Sequence, residues 1–537
     1  MWSPRAARVA VRVEGRDHPL APSGDGWLEA EVRGAGPGTR YAFVLEDGRL
    51  RPDPASRRQP EGVHGPSEVF DPGRHAWRDA GWTGIAREAL AFYELHVGTF
   101  TPEGTLDAAA ARLEDLAELG VTCVELMPVQ PFAGERNWGY DGVSLHAVHE
   151  AYGGPAALQR FVDRAHALGL AVCLDVVYNH LGPEGNYVQE YGPYFTSRHR
   201  SPWGDGLDYD GPGSGPVRAY MIEAAVQWIR DFHLDALRLD ATHAIEDGSL
   251  RHVAAELAEA ARAAGRAQGR TVHVVAEDER NDRRVLDPPP AGWGADAVWA
   301  DDLHHAVHAL LTGERTLFLQ DYGGPELVVR ALAAGFAYQG ERSAYRRRPH
   351  GSDPRGLAPW RFVVCAQNHD QVGNRAHGER LASLVPWEAL RPVAALVLLG
   401  SGTPLLFMGE EYGETRPFLY FTSHSDPALA RAVSEGRKKE LIVQGAHDPP
   451  DPQDPETFRR SKLSHRRDGR HGELRAHHRA LLALRRTHRD AIAARWPEVR
   501  REGTCFTLVR PGLEVRANLG AEPAGGLGPW GWSVREG

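Results

Sequence analysis

Four apolar runs in this chain of 537 residues stop abruptly in ionisable side chains. They end in Asp175-Val176-Val177-Tyr178-Asn179-His180, Arg238-Leu239-Asp240-Ala241-Thr242-His243, Ala276-Glu277-Asp278-Glu279 and Gln367-Asn368-His369-Asp370. A charge buried without a partner is costly, so each end must be paired, solvated or functional. A single acidic residue at a strand end is ordinarily a turn former or a helix N-cap. Four such ends on one sheet point instead to a site. Arg238 and Asp240 are two apart, so on a strand their side chains project to the same side. A guanidinium there favours the ionised carboxylate that a nucleophile requires. Glu277 from the next strand and Asp370 from across the fold would complete a set of three carboxyl groups around a sugar ring. A nucleophile, a protonated acid and a third carboxylate suit cleavage of an acetal through an oxocarbenium-like state. Crowding by like charge raises the pKa of the group that keeps its proton, and that role is assigned to Glu277.

Positioning such residues takes strands joined by crossover helices. Strands are expected at 91–97, 122–129, 171–178, 236–239, 271–276, 297–299, 362–366 and 404–408. Helical spacing falls between them, at 106–119, 155–168, 217–232 and 250–263 among others. Eight strand–helix units predict an α/β fold, a (β/α)8 TIM barrel, because parallel strands need crossovers. A doubly wound open sheet is the competing architecture. Residues 1–88 read as an N-terminal β-sandwich of carbohydrate-binding type, 89–495 as the catalytic barrel, and 496–537 as a short C-terminal β domain. Insertions at 181–215 and 424–466 follow the third and eighth strands, at the face where barrels assemble active sites.

Composition narrows the partners. The formal net charge is −10, from 62 Lys+Arg against 72 Asp+Glu, which argues against a nucleic-acid ligand. The clusters Arg346-Arg347-Arg348 and Arg437-Lys438-Lys439 read as solvated faces. Cys123, Cys173, Cys365 and Cys505 form no CxxC pair and read as reduced core thiols, which suits a reducing compartment. The N-terminus opens no apolar h-region. The richest apolar run, Val393 to Gly400, is far short of the ~20 residues that span a bilayer. A cytoplasmic protein without membrane or nucleic-acid partners is expected. His304-His305 lacks a third spaced ligand and reads as a surface helix start rather than a metal site. The glycine-rich segment 211–215 carries no P-loop lysine. Glu410-Glu411 reads as scaffold, and Asp175 as a structural partner of Arg238.

These four segments resemble the four signature regions of the α-amylase superfamily, the retaining glycoside hydrolases built on a barrel. The resemblance implies Asp240 as nucleophile, Glu277 as general acid/base and Asp370 as the carboxylate that stabilises the transition state. It implies that Arg238, His180 and His369 hold the sugar just before the cleaved bond. Tyr140, in Trp138-Gly139-Tyr140-Asp141-Gly142, would stack beneath that sugar, and Trp138 joins the sugar-binding set. His243 would touch the leaving sugar or serve as a helix-start contact. His96 is either a sugar contact or a hydrogen-bonded core histidine. Calcium-dependent members place a ligand at the position of Asn179; here it is expected to cap a helix or bond loop backbone, with no metal and no cofactor.

Further segments resemble the maltooligosyltrehalose trehalohydrolase family: residues 93–105 (Tyr93-Glu94-Leu95-His96 onward), 417–424, 434–440 (Ser434-Glu435-Gly436-Arg437-Lys438-Lys439-Glu440), and the linker from Asp53 to Pro66. That resemblance implies hydrolysis, with anomeric retention, of the α-1,4 bond between a maltooligosaccharide and a terminal trehalose. The partners it implies are maltooligosyltrehalose and related α-1,4-glucans, with functional pairing to a maltooligosyltrehalose synthase. The same carboxylates would serve a glycogen-branching or debranching enzyme, and a catalytically silent glycan-binding barrel is the non-enzymatic alternative. Against the family pattern, the chain is expected to start inside its N-terminal β domain and to carry a shorter C-terminal one.

Overall fold

The computed structural model describes residues 1–537 except 7, 202, 203 and 444. Eight parallel strands run in chain order around a closed barrel: Phe92–Leu95, Cys123–Leu126, Ala171–Val176, Ala236–Leu239, His273–Glu277, Ala297–Trp299, Phe362–Cys365 and Thr403–Phe407. The eighth pairs back onto the first, Leu406 beside Tyr93. Closure rules out the open sheet.

Strand alternation sorts the side chains. Phe92, Cys123, Cys173, Ala236, Val275, Val363 and Leu405 belong to one buried apolar cluster inside the barrel, with Trp82 and Ile85 packed against it. Two residues further along the same parity come Glu94, Glu125, Asp175, Arg238 and Glu277. The inward stripe therefore changes from apolar to ionisable toward the carboxyl ends. The opposite parity, including Val124, Leu126, Val172, Leu174, Leu237 and Leu239, joins the larger core shared with the helices.

The crossover helices begin and end on local signals. Gly154–Ala167 and Gly215–Phe232 each carry proline in the first turn, where the missing N–H costs nothing. The expected helix at 106–119 is two pieces, Leu106–Ala110 and Leu113–Leu119, closed by Gly120 at φ 104°. The helix expected at 250–263 is Val253–Ala267, because His252 caps it by accepting from Ala254 N, and Leu250 lies exposed outside. The strands expected at 91–97, 122–129 and 171–178 end at Leu95, Leu126 and Val176. The chain leaves the ladder there to build the loops of the site.

The connection after the third strand holds the helix Val188–Tyr191 and the hairpin strands Phe195–Ser201 and Gly204–Leu207. That after the eighth holds the helices Pro427–Val443 and Pro455–Arg460. A third long connection joins the sixth and seventh strands through the helices Asp302–Thr312 and Pro325–Ala334 and a hairpin of Gln339–Arg342 with Pro349–Gly351. Its helices read in the sequence as ordinary crossovers, which hid it.

Antiparallel sheets flank the barrel on both sides in sequence. The N-terminal β-sandwich unit comprises a five-stranded sheet and a two-stranded one. Trp2 packs edge-on against Tyr194 in the loop after the third strand, and Tyr191 donates to Pro52 O at 2.7 Å. At the other end, Glu498–Glu502, Cys505–Arg510, Leu513–Asn518 and Trp532–Glu536 form a four-stranded sheet. Buried Arg510 ties it down by donating to Leu399 O and Ser401 Oγ after the helix Leu390–Leu398. All four cysteines are buried and free, three of them inside the barrel. Among the described residues no helix is long and apolar enough to cross a membrane.

Candidate active site

A cleft of about 350 Å³ opens at the carboxyl ends of the barrel strands. Asp240, Glu277 and Asp370 all line it, together with Trp138, Tyr140, His180, Arg238, His243 and His369. Arg238 is the hub. Its Nη1 donates to Asp175 at 2.8 and 2.7 Å and to Asp240 Oδ1 at 2.8 Å, and its Nη2 lies 3.2 Å from Glu277 Oε2. The guanidinium is buried and rests over the Trp299 ring at 4.2 Å. A buried cation is tolerable here because three carboxyl groups surround it.

Each carboxyl is held differently. Asp240 accepts from Arg238 through Oδ1 and from Asn179 Nδ2 through Oδ2, at 2.8 Å each. Asn179 Nδ2 also donates to Asp240 O at 2.7 Å, so this side chain braces the fourth strand end. Burial pushes the Glu277 carboxyl up, and Asp240 and Asp370 add to that against the pull of Arg238, to about 8. Ala241 holds a left-handed conformation, φ 39°, which a β-carbon disfavours. Asp370 lies in the first turn of the short helix His369–Gly373 and accepts from Asn374 Nδ2 at 2.5 Å.

Aromatic and imidazole rings form the floor. Tyr140 hydroxyl meets Asp175 Oδ2 at 2.6 Å and His369 Nε2 at 2.8 Å. Trp138 stacks on Phe418, meets His369 edge-on, and donates from Nε1 to Leu419 O at 2.9 Å. His180 Nε2 is 3.0 Å from Tyr140 O, and burial lowers its pKa. His243 sits in the turn Thr242–Ala244 at the cleft wall, with its buried Nδ1 unpartnered.

His96 is not brought to the cleft wall. It is buried between Tyr152, Phe418 and Phe421, with Nε2 2.9 Å from Asn137 O, and burial lowers it to about 3. The hydrogen-bonded core alternative describes its surroundings. His304-His305 is not a surface helix start: His304 is buried in Asp302–Thr312, and His305 lines the cleft. Among the described residues no group of three or more His, Cys, Asp or Glu side chains is arranged to hold a metal ion.

A model of the alpha amylase catalytic domain matches residues 68–205. The malto-oligosyltrehalose trehalohydrolase of Rhizobium sp. is 46% identical over 97% of this chain and 91% of its own. That of Saccharolobus solfataricus is 44% identical over 86% of this chain and 81% of its own. The chain belongs to the malto-oligosyltrehalose trehalohydrolase family. Among solved structures, a Salmonella typhimurium protein assigned provisionally to the alpha amylases superposes with TM-score 0.92 at 44% identity, over 100% of this chain and 96% of that one.

For a member of this family, the cleft holds several residues that the sequence motifs do not announce. Asp301, at the sixth strand end, lines it, and burial and then Asp370 push its carboxyl up to about 7. Tyr322, Arg346 and His350 reach it from the connection between the sixth and seventh strands. Tyr322 hydroxyl is anchored on Asp302, and Arg346 pairs with Glu279 at 3.1 and 3.2 Å. The doublet Asp301-Asp302 carries the same signal as the other four ends, an apolar run stopping in carboxylates. Its strand is three residues long, too short to stand out.

Proposed function

We propose that the chain hydrolyses the α-1,4 bond joining a maltooligosaccharide to a terminal trehalose, by double displacement. What carries the reading is the arrangement at Arg238: one guanidinium contacts both Asp240 and Glu277, while Glu277 keeps its proton to about pH 8. A carboxyl that keeps its proton, next to a second one held by the same guanidinium, is the pair a retaining mechanism uses.

Asp240 attacks the anomeric carbon of the glucosyl unit as Glu277 protonates the glycosidic oxygen, and trehalose leaves. The result is a glucosyl ester on Asp240. Glu277, now a carboxylate, takes a proton from water, which attacks the same carbon and frees Asp240. Two inversions give retention. Asp370, His180, His369 and Arg238 hold the ring hydroxyls, and Tyr140 and Trp138 offer apolar faces to its C–H side. The oxocarbenium-like charge develops among carboxylates already in place, so little reorganisation is needed.

The proposed partners are maltooligosyltrehalose and related α-1,4-glucans, with a synthase of maltooligosyltrehalose supplying the substrate. The net charge of −10 is against nucleic acid as a ligand. Four free, buried thiols favour the cytoplasm as the compartment. The test is to supply maltooligosyltrehalose and plain maltooligosaccharide in parallel. Fast trehalose release from the first supports the reading. New α-1,6 linkages would make the chain a branching enzyme, and bound glycan with no new reducing ends would make it a binding protein.

A further inference from the structure

Among the ionisable groups that the mechanism leaves unused, Glu94 stands out. It lies on the inward parity of the first strand, buried beneath the cleft. Its Oε2 accepts from the His369 backbone N–H at 2.9 Å, and its Oε1 meets His369 Nδ1 in a short contact. The two residues are 275 positions apart and belong to the first strand and to the helix after the seventh.

The hydrogens on His369 follow from its neighbours. Arg238 Nη1 donates to both oxygens of Asp175, at 2.8 and 2.7 Å, so Asp175 acts as an acceptor. Burial raises the Asp175 carboxyl and Arg238 opposes it, to about 6, which leaves it ionised at neutral pH. Tyr140 then gives its one hydroxyl hydrogen to Asp175 Oδ2 at 2.6 Å. The 2.8 Å contact between Tyr140 oxygen and His369 Nε2 must therefore be donated by the ring. On the other edge, Nδ1 faces a carboxylate, which only accepts. Both ring nitrogens carry hydrogen.

We propose that Glu94 is a positioning residue that fixes His369 as an imidazolium, so that a second cation stands beside Tyr140 at the cleft. The inference rests on the proposed function, in which His369 faces the glucosyl unit. It assigns the site two cations, Arg238 and His369, among the carboxyl groups of Asp175, Asp240, Glu277 and Asp370. Burial alone would pull the ring down; Glu94 outweighs it, and His369 sits at about 9. The other groups facing this ring are Asp370 on its own turn, Asp175 and Arg238 on the third and fourth strands, Tyr140, and His96 behind it. Glu125, paired with Glu94 across the first two strands, has both oxygens unpartnered, and burial raises it well above the usual range.

The experiment is the pH profile of kcat/KM for trehalose release by the whole chain and by Glu94→Gln, whose amide oxygen can still accept from Nδ1. Without the carboxylate the ring loses its proton at lower pH. The deficit of the variant relative to the parent is expected to grow at least tenfold between pH 5.5 and 8, while Glu94→Asp keeps the parent's limb. A deficit that is uniform across that range overturns the proposal, because a purely structural role lowers all rates alike. Should Glu94→Gln not fold, carbon-labelled histidine NMR of the parent decides, with the His369 signal identified by its loss in His369→Asn. A cationic shift from pH 6 to 8 is expected, and a neutral one overturns the proposal. A parent that releases no trehalose at any pH sinks the functional reading instead, and the NMR result still judges His369.

Discussion

Ala241 N–H donates to Glu277 Oε2 at 2.6 Å, from a backbone held at φ 39° immediately after Asp240. The residue that follows the proposed nucleophile thus orients the proposed acid. Arg238 Nη2 also approaches Oε2, so both contacts fall on one oxygen and Oε1 is left to carry the proton toward the cleft. A left-handed alanine is disfavoured by about 1–2 kcal/mol, and the bond it makes possible is a reason for the fold to hold it there.

The first expectation concerns pH. Glu277 must be protonated to donate, and its carboxyl loses that proton near pH 8. The rate of trehalose release should hold through neutrality and fall about tenfold per unit above pH 8. A profile already falling below pH 6 would remove Glu277 from the acid role.

Stability should carry the same signature with a definite sign. Glu277 is raised in the folded chain above its ordinary 4.5, so the folded state binds more protons than the unfolded one between the two values. Its contribution is fully present below about pH 4.5 and is lost as pH rises through about 8. Glu277→Gln has no proton to lose. The melting temperature of the variant minus that of the parent should therefore rise from pH 5 to about pH 8 and then level off, and a flat difference throughout would contradict a buried, raised carboxyl.

Removing the nucleophile should be severe. Asp240→Asn keeps the size but only one acceptor, so it can hold Arg238 or Asn179 but not both, and it cannot form the ester. A loss of at least about 10³-fold in kcat is expected, about 4 kcal/mol of barrier, with unchanged circular dichroism. In the parent, proton NMR of the first products should show the α-anomer at the new reducing-end glucose. Inverted product would require the two carboxyl groups to stand further apart than the ~5–5.5 Å of a retaining pair.

Gly373 offers a test of the aromatic floor. A Cβ there would meet Trp138 at 2.1 Å and Phe418 at 3.3 Å. Gly373→Ala must push Trp138 off the Phe418 ring and away from His369. KM for maltooligosyltrehalose should rise several-fold or more, while the far-UV spectrum stays the same. A variant with parental KM would show that Trp138 contributes nothing to sugar binding.

Much of this molecule is legible one element at a time. The alternation of apolar strands with amphipathic helices announces the barrel, and two-residue spacing places Arg238 and Asp240 on one side of one strand. Both signals live inside single elements, where backbone periodicity alone decides which way a side chain points. The abrupt change from apolar to ionisable residues at strand ends is equally local, and it singled out Asp240, Glu277, Asp370, Arg238, His180, His243 and His369 at the cleft.

What the linear pattern left undecided depends on closure. Whether the sheet is open or closed turns on the pairing of Thr403–Phe407 with Phe92–Leu95, more than 300 residues apart, since Tyr93 and Glu411 alone are separated by 318. The same closure brings Glu94 to His369, moves His96 out of the cleft, and turns His305 into it. No periodicity reports such contacts, because they are set by how strands tilt and pack around a shared axis. Residue types told which groups could do chemistry. Their protonation states came from burial and from neighbours that only the folded chain supplies.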